Sequence, residues 1–493
     1  DEAMRMSIGS VIVTPTPTAA PLKAAITGFF DSKIRRDTWP PPSQHETWEQ
    51  VELFAALRNA DDTRLRQEAG YRWQDEYLVS PLPRIISRAS ANLLFGEPPE
   101  IEAVDEADQE NLDRIVGPDG NDLRAELHRA AVLASSEGEV WGRIVVQPDL
   151  LDVPIVEFVS RSRVIPHFAG RFLRGATFVT TWQTGPLERY RMLETYEPGA
   201  VTTRLYRGST TVLGSEIALN KFSETEGRQP VVYTGIEEPL VAFIPNSIDA
   251  DQTRGYADYQ GLVDRFLALN ESVTIGQANQ RLAGQKRAVV NGKLLDQHGN
   301  LHGPNDIIRM DPLDSGDGTA AVMQPIDWQA GHTETIAWID HLIDTTLSFA
   351  GISPVSLGRT VEGATVSGTA LKLRMNHSLM EAAGKGHYFD RGIARLLRQA
   401  TIIDGRPVSE GGFGRSYQAR DASPTVIRGD GLPRDDMEAA KQLALIVGTE
   451  SMSVEERVAF LHPDWTEQQR TDEVDRLRSE YPITPAVEPP AGL

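Results

Sequence analysis

Residues 256–282 read YADYQGLVDRFLALNESVTIGQANQRL, and residues 333–349 read TETIAWIDHLIDTTLSF. Apolar side chains recur in both at helical spacing: Leu262, Phe266, Leu269 and Val273 in the first, Ile336, Ile339, Leu342 and Ile343 in the second. At about 1.5 Å per residue the first predicts a helix of about 40 Å. Between them, residues 283–330 form a compact insert in which AVVNGKLL (288–295) and DIIRM (306–310) read as short strands around turns. Two long helices flanking a small insert are expected to run antiparallel and carry it at their far end. So little partner mass predicts that they pack side by side, with neighbouring chains joining in. Asp264, Arg265 and Glu271 stand among the apolar positions, and some of them are expected to pair across such a contact.

Downstream, Gly351-Ile352-Ser353-Pro354 ends the second helix and SLGRTVEGATVSG (356–368) is a polar loop. A third helix is expected from Thr369 to Ile403, about 50 Å long, with a kink near Gly384 because Gly384, Gly386 and Gly392 lie inside it. The chain reads as helical again from Pro433. After MEAAKQLALIVG (437–448), Ser453 opens SVEERVAF with Glu456 three residues on, the spacing of a capping box. Residues 466–481 are a charged final helix and PAVEPPAGL is a tail.

Upstream, helical patterns cover 46–74, 84–95 and 123–135, the second stopped by Gly96, Pro98 and Pro99. The texture then changes. VWGRIVV (140–146), TFVTTW (177–182) and VTTRLYR (201–207), punctuated by Gly185-Pro186 and Pro198-Gly199, predict an antiparallel meander ending at VAFIPN (241–246). VTPTPTAAP (13–21) reads as an extended arm. The fold class is α+β.

The chain has 493 residues, 40% hydrophobic and 24% charged, which implies several structural units and excludes a mostly disordered protein. Its net charge of −21 argues against a protein that coats nucleic acid. The absence of cysteine excludes disulfides, thiol catalysis and thiolate-bound zinc. No run of eighteen apolar residues predicts a membrane span.

Candidate chemistry is sparse. Gly363 and Gly368 have the spacing of a phosphate-binding loop, but Thr369 and Ala370 stand where such a loop needs Lys and Ser or Thr, so Ser367 or Thr369 reads instead as a helix cap. His298 and His302 are four apart, but Gly299 and Gly303 make their segment a turn. Asp314, Asp317 and Gly318 fail the calcium-loop spacing. The remaining Asp and Glu along the helices read as solvated faces. No catalytic constellation emerges, and no metal or cofactor is expected.

Four stretches carry a resemblance: ISRASANLLFGEPPEIE (86–102), VAFIPNSIDADQTRGYADYQGLVDRFLALNES (241–272), FAGISPVSLGRTVEGATVSGTALKLRM (349–375) and GTESMSVEERVAFLHPDWTEQQRTDEVDRLRSEYP (448–482). In this order and spacing the chain resembles the large portal proteins of tailed bacteriophages, over roughly residues 85–482. The β-rich region matches that family in character only.

The resemblance implies a ring, usually of twelve subunits, at one capsid vertex, with the genome packaged and ejected along its axis. Residues 1–45 would be a flexible arm, 46–254 the wing, 255–282 and 331–355 the stem helices, and 283–330 the clip. Residues 356–368 would be the tunnel loop, 369–432 the long wing helix and its return, 433–482 the crown and 483–493 a tail. It implies DNA contact in the channel by Ser356, Arg359, Thr360, Glu362, Thr365 and Ser367. Stem packing would fall to Leu262, Phe266, Leu269, Ile336, Ile339 and Leu342, and clip docking to Lys286, Arg287, Lys293 and Arg309. Expected partners are further copies of the chain, double-stranded DNA, the terminase, a head–tail adaptor, the major capsid protein and a scaffold, with no membrane. The expected location is the virion, reached from the host cytoplasm during assembly. A ring with twelve times this negative charge cannot hold phosphates tightly, since tight binding requires many Lys and Arg contacts. The alternatives are another capsid-associated structural protein, or a cytoplasmic enzyme with an unrecognised site.

Overall fold

The computed structural model describes residues 34–70, 77–248, 254–283, 287–290, 292–295, 309–312, 323–326, 332–359, 368–407, 412–415, 417, 421–429, 453–462, 465 and 467–480. Helices α1 (His45–Asn59), α2 (Asp62–Glu68) and α3 (Leu82–Phe95) come first. The helical pattern of 46–74 breaks at Ala60, which sits in the left-handed region at φ 56°, and Asp61 caps α2 by accepting from the Arg64 amide. Strand β1 (Glu100–Glu102) and helices α4 (Glu106–Val116) and α5 (Leu123–Glu137) follow.

The meander region forms two sheets rather than one. Strands β2 (Glu139–Val145) and β3 (Ile155–Ser160) are followed by β4 (Val164–Ala169), β5 (Phe172–Gln183), β6 (Arg189–Glu197) and β7 (Ala200–Gly208). Short strands β8 (Ser215–Ile217) and β9 (Val231–Tyr233) precede β10 (Val241–Pro245). One sheet has the order β10-β2-β3; the other runs β4-β5-β6-β7-β8, with β9 also on β7. Pro198-Gly199 makes the tight link between β6 and β7, where Glu197 pairs with Ala200. Arg143 of β2 joins the two sheets: it contacts Glu157 at 2.7 Å and Glu194 at 2.7 Å, and its guanidinium lies 4.8 Å from the Phe178 ring centre.

Helix α6 (Val263–Ala283) is followed by strands β11 (Arg287–Val290), β12 (Gly292–Leu295), β13 (Arg309–Pro312) and β14 (Met323–Ile326). Helices α7 (His332–Phe349) and α8 (Gly368–Asp404), strand β15 (Thr425–Ile427), and helices α9 (Val454–Leu461) and α10 (Glu467–Glu480) complete the described elements. β15 pairs with β1, setting Glu100 opposite Ile427. At 37 residues, α8 is about 55 Å long and runs unbroken through Gly384, Gly386 and Gly392. Two of the glycines around it serve close approach. A Cβ on Gly392 would lie 2.4 Å from Ile244 Cγ1, and one on Gly142 would lie 2.3 Å from Leu396 Cδ1. The helix therefore lies directly on β10 and β2. The capping box at α9 is present with both of its hydrogen bonds, Ser453 to the Glu456 amide and Glu456 to the Ser453 amide.

The two largest apolar clusters are distinct. The first joins the β10-β2-β3 sheet to α3, α4, α5 and α8 around Trp141, Phe158, Phe389 and Leu396. The second gathers Phe54 and Leu57 of α1 and Ile86 of α3 around Tyr259, Leu262, Phe266 and Leu269, with Leu342, Leu347 and Ile352. α3 contributes to both: Ile86 and Ala89 face the second, Ala91, Leu94 and Phe95 the first.

Candidate functional site: the α6–α7 hairpin and its root

α6 begins at Val263, seven residues later than the apolar pattern suggested. Residues 258–262 form a turn instead, because Gly261 adopts φ +77°, a conformation open to glycine. Over its 21 residues α6 is thus about 31 Å long. Its pairing with α7 is antiparallel. Arg265 Nη1 donates to Thr345 Oγ1 at 3.4 Å, and eleven residues on, Gly276 lies where a Cβ would meet Thr335 Cγ2 at 3.1 Å. One helix advances while the other retreats by nearly the same number of residues. Beyond their ends the insert is nested: β11 pairs antiparallel with β14, and β12 with β13 inside them.

The stem residues named from sequence divide sharply along this hairpin. Leu262, Phe266, Leu269 and Leu342 are buried in the second core, with Ile339 half-buried at its edge. This root is completed by α1 and α3 of the same chain, so it does not need neighbouring chains as the sequence suggested. Ile336 is 58% exposed, and Ile275, Trp338 and Phe349 are also exposed apolar residues on the pair. Asp264 and Glu271 are exposed. Arg265 is engaged within the chain, its guanidinium 4.5 Å from the Phe349 ring centre.

In the insert, register sets Arg287 opposite Ile326, Lys293 opposite Asp311 and Arg309 opposite Leu295. Lys286, His298, His302, Asp314 and Asp317 lie outside the described residues. Of the loop 356–368, Ser356 is held by a 2.7 Å bond from its Oγ to the Ser353 carbonyl. Arg359 is forked onto α7, with Nη2 at 2.9 Å from Asp340 and Nε at 3.1 Å from Asp344. Thr360, Glu362, Thr365, Ser367, the arm 1–33, residues 430–452 and the tail lie outside the described residues.

At the root, side chains that read as solvated are buried. Asp258 accepts from Lys385 Nζ at 2.8 Å to both carboxylate oxygens, from Asn246 Nδ2 at 2.7 Å and from Ser135 Oγ at 2.7 Å. Glu139 is fully buried and accepts from Arg254 Nε at 3.0 Å, Trp141 Nε1 at 2.9 Å and the Gly255 amide at 3.0 Å. Burial raises its pKa, but Arg254 and Arg161 beside it prevail and hold it below the usual carboxylate range. Burial pushes Glu137 up, against Ser160, Arg58 and Arg161. The backbones meet here too, for a Cβ on Gly255 would fall 1.9 Å from the Gly138 carbonyl oxygen. The only local hint of this site is the pair Glu137 and Glu139 abutting an apolar strand.

Among the described residues, no group of three or more His, Asp or Glu comes together to hold a metal ion. None of the described helices is long and apolar enough to cross a membrane. No protein-family model matches the chain, and no curated protein matches it. Solved structures similar to it include chains from three gene transfer agent particle structures. The neck of a native gene transfer agent particle, computed with C12 symmetry, contains a chain at 12% identity and a TM-score of 0.38, covering 78% of this chain and 89% of that one. The virion of a native gene transfer agent particle contains one at 12% identity and 0.41, covering 90% and 99%. The neck of an empty particle computed with C6 symmetry contains one at 12% identity and 0.40, covering 87% and 96%.

Proposed function

We propose that this chain is a portal protein: a structural subunit of a ring that forms the DNA conduit at one capsid vertex. The observation that carries the reading is the antiparallel α6–α7 hairpin. Its root is built into the body of the chain, a nested β insert stands at its far end, and apolar residues stay exposed along it. On this reading α6 and α7 are the stem, 283–330 the clip, 356–368 the tunnel loop, 46–254 with 369–432 the wing, and 433–482 the crown. The clip faces the terminase during packaging and a head–tail adaptor afterwards; the wing and crown face the capsid protein and scaffold. The subunits assemble in the host cytoplasm and reside in the virion.

The electrostatics favour passage over capture. Arg359 is the one cation in residues 356–368, and two carboxylates of α7 engage it. What the loop offers DNA is then hydroxyls and Glu362, which grip phosphates weakly and without regard to sequence. Light scattering on the purified chain tests the assembly. A mass near twelve times 54.3 kDa, with rings in electron micrographs, is expected. A monodisperse monomer would refute the portal reading.

A further inference from the structure

The two apolar cores do not merge. They touch through Leu93 of α3, which packs against both, and one turn earlier on that helix, at Ser90, the contact is ionic. Asp258 lies between Ala257 and Tyr259, both in the core of the hairpin root. Lys385 lies one turn of α8 beyond Ala382, which belongs to the core of the sheet. Lys385 also donates to Ser90 Oγ at 2.9 Å, and Ser90 sits on α3 between Ala89 of one core and Ala91 of the other. All three ammonium protons and both carboxylate oxygens are therefore engaged, with 6% and 8% of the two side chains exposed.

A seam of this kind differs physically from apolar packing. Removing two charges from water offsets most of their attraction, so a buried pair adds little net stability and chiefly selects one geometry. When such a seam parts, water regains both charges, whereas parting an apolar interface recovers nothing comparable. We infer that the Asp258–Lys385 pair is a latch that fixes the α6–α7 hairpin against the body of the chain, and that the chain opens first at this seam. The second ionic node, Glu139 with Arg254, sits on the same short segment 254–258 and limits the opening to residues beyond it. The inference rests on the fold alone and stands whether or not the chain is a portal subunit.

Hydrogen–deuterium exchange on the full chain in its native assembly tests it. In Asp258→Asn and in Lys385→Met, amides of 256–283 should exchange at least about tenfold faster than in the parent chain, while those of 172–208 stay within about twofold. The double variant should exchange no faster than either single one, since each change opens the same latch. Equal acceleration in both segments would overturn the latch in favour of general destabilisation, and no acceleration would overturn it outright. Should either charge variant fail to fold, Ser135→Ala and Ser90→Ala each remove a single hydrogen bond and decide the question by the same comparison, with a smaller acceleration confined to 256–283 expected.

Discussion

Aspartate at Ile336 or Trp338 separates assembly from folding. Both side chains are more than half exposed on α7, at 58% and 53%. Within one chain, such surface changes are worth no more than about 0.5 kcal/mol either way. In a ring whose stems pack against each other, each change removes about 2 kcal/mol of apolar burial and places an unpaired carboxylate in the contact, at a further cost of several kcal/mol. The penalty recurs at every interface. Phe266 and Leu269 are each only 1% exposed and lie in the chain's own core. Alanine there costs about 2–5 kcal/mol of fold stability. Aspartate at Leu262 and Leu269 together would also abolish rings, but by unfolding the root. Thermal unfolding and light scattering, measured on the same samples, distinguish the cases. Ile336→Asp and Trp338→Asp should keep the parental unfolding of the subunit and lose the ring mass, whereas Leu269→Ala should lose thermal stability. Intact rings from the Ile336→Asp, Trp338→Asp double variant would refute the assignment of this face to an interface. An unchanged melting temperature in Leu269→Ala would refute the closed root.

Three further outcomes follow from particular side chains. Burial lifts the Glu197 carboxyl from 4.5 to about 7, against the pull of Arg204. Because the folded value is raised, stability falls as pH rises from about 4.5 through about 7, by up to about 3 kcal/mol. Glu197→Gln should therefore stabilise the chain at pH 8 and give no gain at pH 4.5, and equal unfolding midpoints at pH 8 would count against the buried placement. Gly392→Ala drives a Cβ into Ile244 and should cost about 1–3 kcal/mol in urea unfolding; an unchanged midpoint would mean that α8 does not press on the sheet. Asp340→Asn with Asp344→Asn should change stability by no more than about 1 kcal/mol. By releasing Arg359 it should steepen the salt dependence of DNA binding by assembled rings, and an unaltered slope would place Arg359 away from DNA.

The hairpin was legible because periodicity reports which residues of a helix share an apolar face, and Leu262, Phe266, Leu269 and Val273 in one stretch and Ile336, Ile339, Leu342 and Ile343 in the other recur at that spacing. The capping box at Ser453 and the turn at Pro198-Gly199 were legible for the same reason, since their signals lie within a few residues. What escaped notice depends on distant partners. A charged residue on a helix has the same local signature whether it faces water or a group far along the chain. Asp258 therefore read as solvated, although it is bound to Lys385, 127 residues away. The pairing of Glu100 with Ile427 leaves no local trace at all. The start of α6 was misplaced because Tyr259 and Leu262 continue the apolar stripe, while Gly261 turns the backbone beneath it.

The same distinction shows where along the hairpin the information for assembly must lie. A stripe of apolar residues states only that something will cover it. At the root, α1 and α3 supply the cover, and the stripe from Leu262 to Leu269 is satisfied within one chain. Farther out, Ile275 and Ile336 continue the apolar character but are exposed, at 46% and 58%. Read as part of an assembly, the exposed apolar side chains past the end of the chain's own core are the ones a partner outside the chain would cover. On the portal reading that partner is the next subunit. The distal half of the hairpin then determines whether a ring forms, and the root determines the angle at which each subunit enters it.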